Sequence, residues 1–463
     1  MSAGRADVVA ELRRLFPADR LLLDPERREA YGRDESDLGP RPPDAVVLAE
    51  RAEDVQAVFA IATRHRAPVI PVGARSGKSG GIMALEGGIA VSLERMNRIL
   101  EIAPGDGLCR VEPGVVTGQL QAEVERRGLF YPPDPNSLDL CSIGGNVAEN
   151  AGGPRALKYG VTRDYVLGLT AVVPTGEVLR VGKRSIKGVA GYDLTGLFVG
   201  SEGTLGVVTE VTLELLPLPR HVATGLVAFA TVAGAARAVT RLLTSGVLPR
   251  CLELFDDVSL EAAARTSPYR FPPGAGAALL VEVDGNDEDG VLAELARAAA
   301  ALAADAQGEM VMARDEAQRR SLWETRRLLS VNLKTVHPRK LSEDVAVPRS
   351  RIPELVAQAK EIGRRHGLTV ATYGHAGDGN LHVNILFDRE DERGRAEAAA
   401  ADVLRASVDL GGTITGEHGV GYTKREFLEY EQGPEVVALQ RRLKAVFDPL
   451  GILNPGKIFF APP

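Results

Sequence analysis

Residues 71–81, Pro71-Val-Gly-Ala-Arg-Ser-Gly-Lys-Ser-Gly-Gly81, leave a short apolar strand at 69–72 and enter a loop with four glycines. Gly77-Lys78-Ser79 invites a phosphate-loop reading, but that motif needs four residues between its first glycine and the Gly-Lys pair. Val72 stands where that glycine belongs, and Gly73 comes one residue too late. Gly200-Ser-Glu-Gly203-Thr-Leu-Gly206 likewise misses the Gly-x-Gly-x-x-Gly spacing of a nicotinamide-binding Rossmann turn. What remains is a set of three glycine clusters, at 73–81, 144–153 and 200–206, each after or between strands. Bare backbone N–H groups in such loops form concave nests for a pyrophosphate. A single cluster is no more than a tight turn; three within about 130 residues point to a phosphate-bearing cofactor.

Outward from this loop, 45–49, 69–72 and 89–93 read as short apolar strands and 52–65 as an amphipathic helix. A strand–turn–strand at 169–181 and a strand at 206–216 follow, and Pro217-Leu218-Pro219 closes the region. Beyond it the pattern changes to strands at 222–230, 251–255 and 277–283, with helices at 232–243, 288–304 and 315–333. The boundaries are a helical segment at 1–40, a glycine-rich domain at 41–219, an α+β domain at 220–422, and a last helix and tail at 423–463.

The 463 residues are 44% apolar and 25% charged, an ordinary globular composition. A net charge of −7 without a basic stripe argues against nucleic acid. No run of 18 apolar residues is present, so no transmembrane helix is expected, and the N-terminus lacks the apolar core of a signal peptide. Cys109, Cys141 and Cys251 are an odd, widely spaced set, read as buried small hydrophobes in a reducing compartment. The expected location is cytoplasmic.

His375-Ala-Gly-Asp-Gly-Asn-Leu-His382-Val-Asn384 is a glycine turn whose two ends carry histidines. After it, His382, Asn384 and Leu386 share one strand face, and Val383 and Ile385 take the other. Gly416-Glu417-His418-Gly419 adds a carboxylate and an imidazole in an irregular backbone. Two histidines and a glutamate with an open position form a catalytic-metal set of the kind zinc uses. The competing reading is that Asp378 and Glu417 only cap glycine turns.

These motifs, with Tyr131-Pro-Pro-Asp-Pro, Ser142-Ile-Gly-Gly-Asn146, Asn150-Ala-Gly-Gly and Gly200-Ser-Glu-Gly-Thr-Leu-Gly-Val-Val-Thr, resemble the FAD domain of the vanillyl-alcohol oxidase / p-cresol methylhydroxylase superfamily. The branch resembled is the FAD-linked D-2-hydroxyacid dehydrogenases: D-lactate dehydrogenase, D-2-hydroxyglutarate dehydrogenase and the glycolate oxidase catalytic subunit. The likeness runs from about residue 40 to 460, with the motifs in family order. It implies an α+β fold with a two-subdomain p-cresol-methylhydroxylase-type FAD-binding domain. An α+β cap domain with an antiparallel sheet carries substrate and metal, and the C-terminal tail returns to the FAD domain.

By the same resemblance, Val72, Gly73, Ala74, Ser76, Gly77, Ser79 and Gly80 wrap the FAD pyrophosphate. Pro133, Asp134, Ser137, Gly144, Gly145, Asn146, Asn150 and Gly153 line the diphosphate, ribityl and ring, Val208 meets the adenine through its backbone, and Asn454 belongs to a tail motif near the flavin domain. Arg75 and Lys78 depart from the family's usual residues, and either pair with phosphate or are solvated. The first loop has no histidine, so FAD is expected to be bound without a covalent link.

His375, His382 and Glu417 become the metal ligands (zinc, with manganese or iron as alternatives), His418 the base, and Asn384 a substrate contact. Arg326 clamps the substrate carboxylate with Ser330 one turn on, and Lys340 is the nearest match to a family lysine. The implied reaction is oxidation of a D-2-hydroxyacid to the 2-oxoacid, with hydride to flavin N5. The electron acceptor is a second flavin subunit with an iron–sulfur subunit, a quinone or an electron-transfer flavoprotein. A homodimer and attachment to the inner membrane face are both compatible. The competing classes are a redox-neutral flavoenzyme of the alkyl-dihydroxyacetone-phosphate synthase type and a non-catalytic flavin-domain subunit.

Overall fold

The computed structural model describes residues 3–267 and 269–460. The chain divides into two units: one takes the chain up to Gly152, Val161–Leu218 and His418 onward; the other takes Gly153–Gly160 and Pro219–Glu417. Among the described residues no helix is long and apolar enough to cross a membrane.

In the first unit, Ala45–Leu48, Ile89–Ser92 and Val69–Val72 pair in parallel in that order, and Leu21–Leu22 adds an antiparallel edge. These strands are buried along nearly their whole length, which is why they read as unbroken apolar runs and not as alternating ones. The helix Ala52–His65 buries Val55, Val58, Phe59, Ile61 and Ala62 and ends at Arg66, whose φ of 49° is left-handed. The outer edge of Val69–Val72 meets the chain's tail: Val69 N donates to Ile452 O at 2.8 Å, and Asn454 N donates to Val69 O at 2.7 Å. A second sheet is antiparallel, in the order Ile99–Ala103, Leu108–Val111, Val207–Glu214, Val166–Val172, Val178–Gly182.

The three cysteines are free and buried, and burial pushes the Cys109 thiol up to about 12. That environment suits a packed, unreactive thiol.

The second unit is built on seven antiparallel strands, in the order Val311–Met312, His221–Phe229, Ala277–Gly285, Cys251–Asp256, Thr369–His375, Asn380–Phe387, Arg339–Ala346. Alternation separates its faces. A side chain at Gly225 would meet Leu295 of the helix Glu288–Leu302 at 3.6 Å, and one at Gly363 of the helix Ile352–His366 would crowd Val370, so these positions mark the face the helices cover. Residues of the opposite parity present a row of polar side chains on the other face. The expected single helix at 315–333 is two helices, Glu316–Arg327 and Leu329–Val336, broken at Leu328 (φ −79°, ψ −6°). Leu322, Leu329 and Leu333 all enter one core, so the apolar pattern runs across the break unmarked.

Candidate active site

In the first unit the three glycine clusters, distant in sequence, come together. A side chain at Gly73 would sit 3.0 Å from Ser142 Oγ, and one at Gly144 would lie 2.5 Å from Pro113 Cβ. At Gly144 that approach leaves room only for glycine. The third cluster joins through its amides: Gly200 N donates to Val147 O at 2.9 Å and Glu202 N to Ala148 O at 2.8 Å. Ser142 caps the helix Ile143–Glu149 by accepting from Gly145 N. In the first loop, Ser79 Oγ is buried and finds no hydrogen-bond partner among the described residues. A wall of bare backbone with an unpartnered buried hydroxyl suits a polar, phosphate-bearing ligand.

Several of the expected cofactor residues have side-chain or backbone polar groups engaged within the protein. Asn146 Nδ2 donates to Thr117 Oγ1 at 2.7 Å, and Asn150, at φ 54°, accepts from Arg163 N at 2.9 Å. Asn454 Nδ2 donates to Glu202 O at 3.0 Å. Pro133 O accepts from Gln121 Nε2 at 2.8 Å. Val208 stands beside a bulge in its strand, where pairing skips Thr209. Arg75, partly exposed, pairs with Glu94 at 3.1 Å and stacks over the Tyr31 ring. Lys78 is exposed.

In the second unit, register assembles a polar face from four strands. Glu253 lies opposite His375, Asp344 and Tyr373 flank His382, and Ser342 lies opposite Asn384. Cross-strand partners share a face. His375 Nε2 and His382 Nε2 both point at one oxygen, Glu417 Oε1, at 3.8 and 3.7 Å. Those separations are too long for hydrogen bonds. Ligands of a tetrahedral zinc held at about 2.1 Å stand about 3.4 Å apart, close to these two separations. Asp344, His382 and Glu417 also offer ligand atoms within 4.8 Å of one another. The donor set, two imidazoles and carboxylates, suits a divalent ion.

Behind these donors stand two wholly buried acids. Glu253 Oε1 is 2.5 Å from His375 Nδ1, and Asp344 Oδ1 is 3.7 Å from His382 Nδ1. Burial alone pushes Glu253 up, but the charges of His375 and Arg326 and the bonds from both hold it down at about 2. Burial works against a charged His375; Glu253 first and then Glu417 outweigh it and carry its pKa well above the ordinary histidine value.

Beside the donors, Lys340 Nζ donates to Ser330 Oγ at 2.8 Å and to Asn384 Oδ1 at 3.0 Å. Arg326 Nε donates to Glu253 Oε2 at 2.6 Å, and its guanidinium lies 4.8 Å over the Tyr373 ring. Trp323, a turn earlier on the same helix, donates to Glu282 at 2.6 Å. His418 follows Glu417 directly, where the chain passes into the other unit.

Residues 43–182 match the FAD binding domain family, and residues 218–458 match the C-terminal domain family of FAD linked oxidases. The chain belongs to the FAD-linked oxidases. Among its relatives is the glycolate oxidase subunit GlcD of Bacillus subtilis, 41% identical over 90% of this chain and 89% of that protein. The D-lactate dehydrogenase of Anaerostipes hadrus is 34% identical over 98% of this chain and 97% of its own. Substrate-bound p-cresol methylhydroxylase shares the fold, with a TM-score of 0.81 at 18% identity, over 100% of this chain and 98% of that one. The α+β architecture expected from sequence, an FAD-binding domain with a second domain on an antiparallel sheet, is the one this FAD-linked oxidase has.

Two residues of the oxidase's polar face were absent from the sequence-based site, Glu253 and Asp344, and Lys340 entered it only as the nearest match to a family lysine. Each had a signal. Glu253 is a lone acid in the apolar run Cys251-Leu-Glu-Leu-Phe. Lys340, Ser342 and Asp344 alternate with Leu341, Glu343 and Val345 as strand residues do.

Proposed function

We propose that this oxidase converts a small D-2-hydroxyacid, of the glycolate, lactate or 2-hydroxyglutarate type, to the 2-oxoacid, using non-covalently bound FAD and a divalent ion. The observation that carries the reading is the aim of His375 Nε2 and His382 Nε2 at Glu417 Oε1, on the sheet face that also holds Lys340 and Asn384. The relatives named for glycolate and D-lactate support the acid class. When bound, FAD supplies the acceptor for hydride and the ion lowers the pKa of the substrate hydroxyl.

The chain's own residues do the rest. The loop from Gly73 to Gly80 holds the cofactor's phosphates with backbone amides, and Gly144 and Gly145 line the cofactor from the helix Ile143–Glu149. His375, His382 and Glu417 hold the ion. Arg326 meets the substrate carboxylate with its planar fork, and Lys340 adds a point charge beside Asn384. His418 takes the hydroxyl proton at a ring nitrogen. The relative named as a glycolate oxidase subunit supports an assembly in which electrons leave to another subunit.

The test is an anaerobic panel of 2-hydroxyacids followed by loss of flavin absorbance, with and without prior chelation. Bleaching by a D-2-hydroxyacid that chelation abolishes is expected. A flavin that no 2-hydroxyacid bleaches overturns the reaction; bleaching indifferent to chelation overturns the role of the metal.

A further inference from the structure

Glu253 is wholly buried in the middle of the second unit's sheet, and its two oxygens face different partners. Oε1 meets His375 Nδ1 at 2.5 Å; Oε2 accepts from Arg326 Nε at 2.6 Å. His375 lies directly opposite it in the strand register, whereas Arg326 comes from a separate helix. A buried carboxylate with both oxygens engaged by cationic or polar donors is rigid, and it makes its partners rigid.

We propose that Glu253 is a positioning residue that sets metal grip and substrate-carboxylate recognition together. The assignment rests on the reading of His375 as a metal ligand and Arg326 as a carboxylate clamp. Accepting from Nδ1–H selects the tautomer of His375 whose Nε2 lone pair faces Glu417, and it fixes the ring plane. A carboxylate behind a ligating histidine strengthens the ligand as well as orienting it. The second oxygen engages Arg326 at Nε and leaves the four Nη hydrogens as the edge that meets a substrate. Tyr373 stacks under the guanidinium and restricts its remaining freedom. One side chain thus fixes the relative placement of the ion and of the group that holds the substrate's carboxylate. A hydroxyacid that chelates the ion through its hydroxyl and one carboxylate oxygen needs that spacing held.

The experiment compares wild-type flavoprotein with Glu253→Gln, which keeps the shape but has only one oxygen to offer. Zinc affinity is measured without substrate, by competition with a chromophoric chelator, and KM and kcat are measured on zinc-saturated protein. The expected result is zinc affinity lower by roughly 10- to 100-fold. KM for the acid rises roughly tenfold, more than kcat falls, because the clamp is misplaced before chemistry begins. Asp256→Asn, at the end of the same strand and capping the next helix, is the control for general damage; it is expected to lower the thermal midpoint without moving zinc affinity. Should Glu253→Gln not fold, Glu253→Asp keeps the charge, shortens the reach by one methylene and is read the same way. Unchanged zinc affinity in the Glu253 variant beside a zinc-binding wild type overturns the proposal alone. A wild type that binds no divalent ion overturns the metal reading and this proposal with it.

Discussion

Asp344 holds Glu417 by its backbone: Asp344 Oδ2 accepts from Glu417 N at 2.8 Å and from Gly416 N at 2.9 Å. The same carboxylate accepts from Thr415 Oγ1 at 3.2 Å and, through Oδ1, from Asn380 Nδ2 at 2.6 Å. Strand register sets it beside His382, so one buried acid ties the loop bearing the glutamate to the strand bearing a histidine. Asp344→Asn turns an amide toward some of these donors. Bound zinc by elemental analysis should drop at least tenfold at equal free metal, with a lower thermal midpoint. Full zinc content in this variant would detach Asp344 from the site.

His375→Ala and His382→Ala should lose both metal and turnover. His418→Ala should keep its metal and lose turnover by roughly a hundredfold or more. The two histidines aimed at Glu417 Oε1 are placed to grip an ion, while His418, next to Glu417 in sequence, is assigned the proton. Elemental analysis alongside steady-state rates decides the matter. A His418→Ala protein that loses its metal but keeps its rate per metal would show that ligand and base are wrongly divided.

Arg326→Lys replaces a fork that is hydrogen-bonded through Nε and stacked on Tyr373 with a flexible point charge. KM for the hydroxyacid should rise by about tenfold or more, while flavin content stays at the wild-type level. Steady-state kinetics with wild-type parameters would remove Arg326 from substrate binding.

In the first unit, Glu149 has an oxygen without a partner among the described residues, and it lies near buried Glu202. Burial first, then the charges of Glu202 and Asp34, push Glu149 well above the ordinary carboxylate value; burial also raises Glu202 to about 7. A carboxyl whose pKa is raised by folding stabilises the fold below its unfolded value of about 4.5. That stability is lost as pH rises through the folded value. Glu149→Gln removes this penalty, so its thermal midpoint should exceed that of wild type at pH 8 and approach it at pH 5. Thermal denaturation of the flavin-loaded proteins at both pH values checks this; an equal difference at the two would rule out the titration.

Local chain chemistry determined a large part of this protein. The glycine clusters at 73–81, 144–153 and 200–206 read as a cofactor cradle because only glycine permits such backbone approach, whatever packs around it. Period-two alternation placed His382 and Asn384 on one face, and the glycine turn before them set His375 at its other end. Pairing between distant segments is a different matter. Glu253 and His375 are 122 residues apart, and only strand register makes them neighbours. Alternation marks Lys340 and Asp344 as sharing a face, but not which strand lies beside them. The break at Leu328 leaves the apolar period intact, and Arg75 takes Glu94 and Tyr31 as partners from elsewhere in the chain. Side-chain direction follows from the chain's local geometry, whereas the identity of a buried acid's partner depends on which strands the whole core brings together.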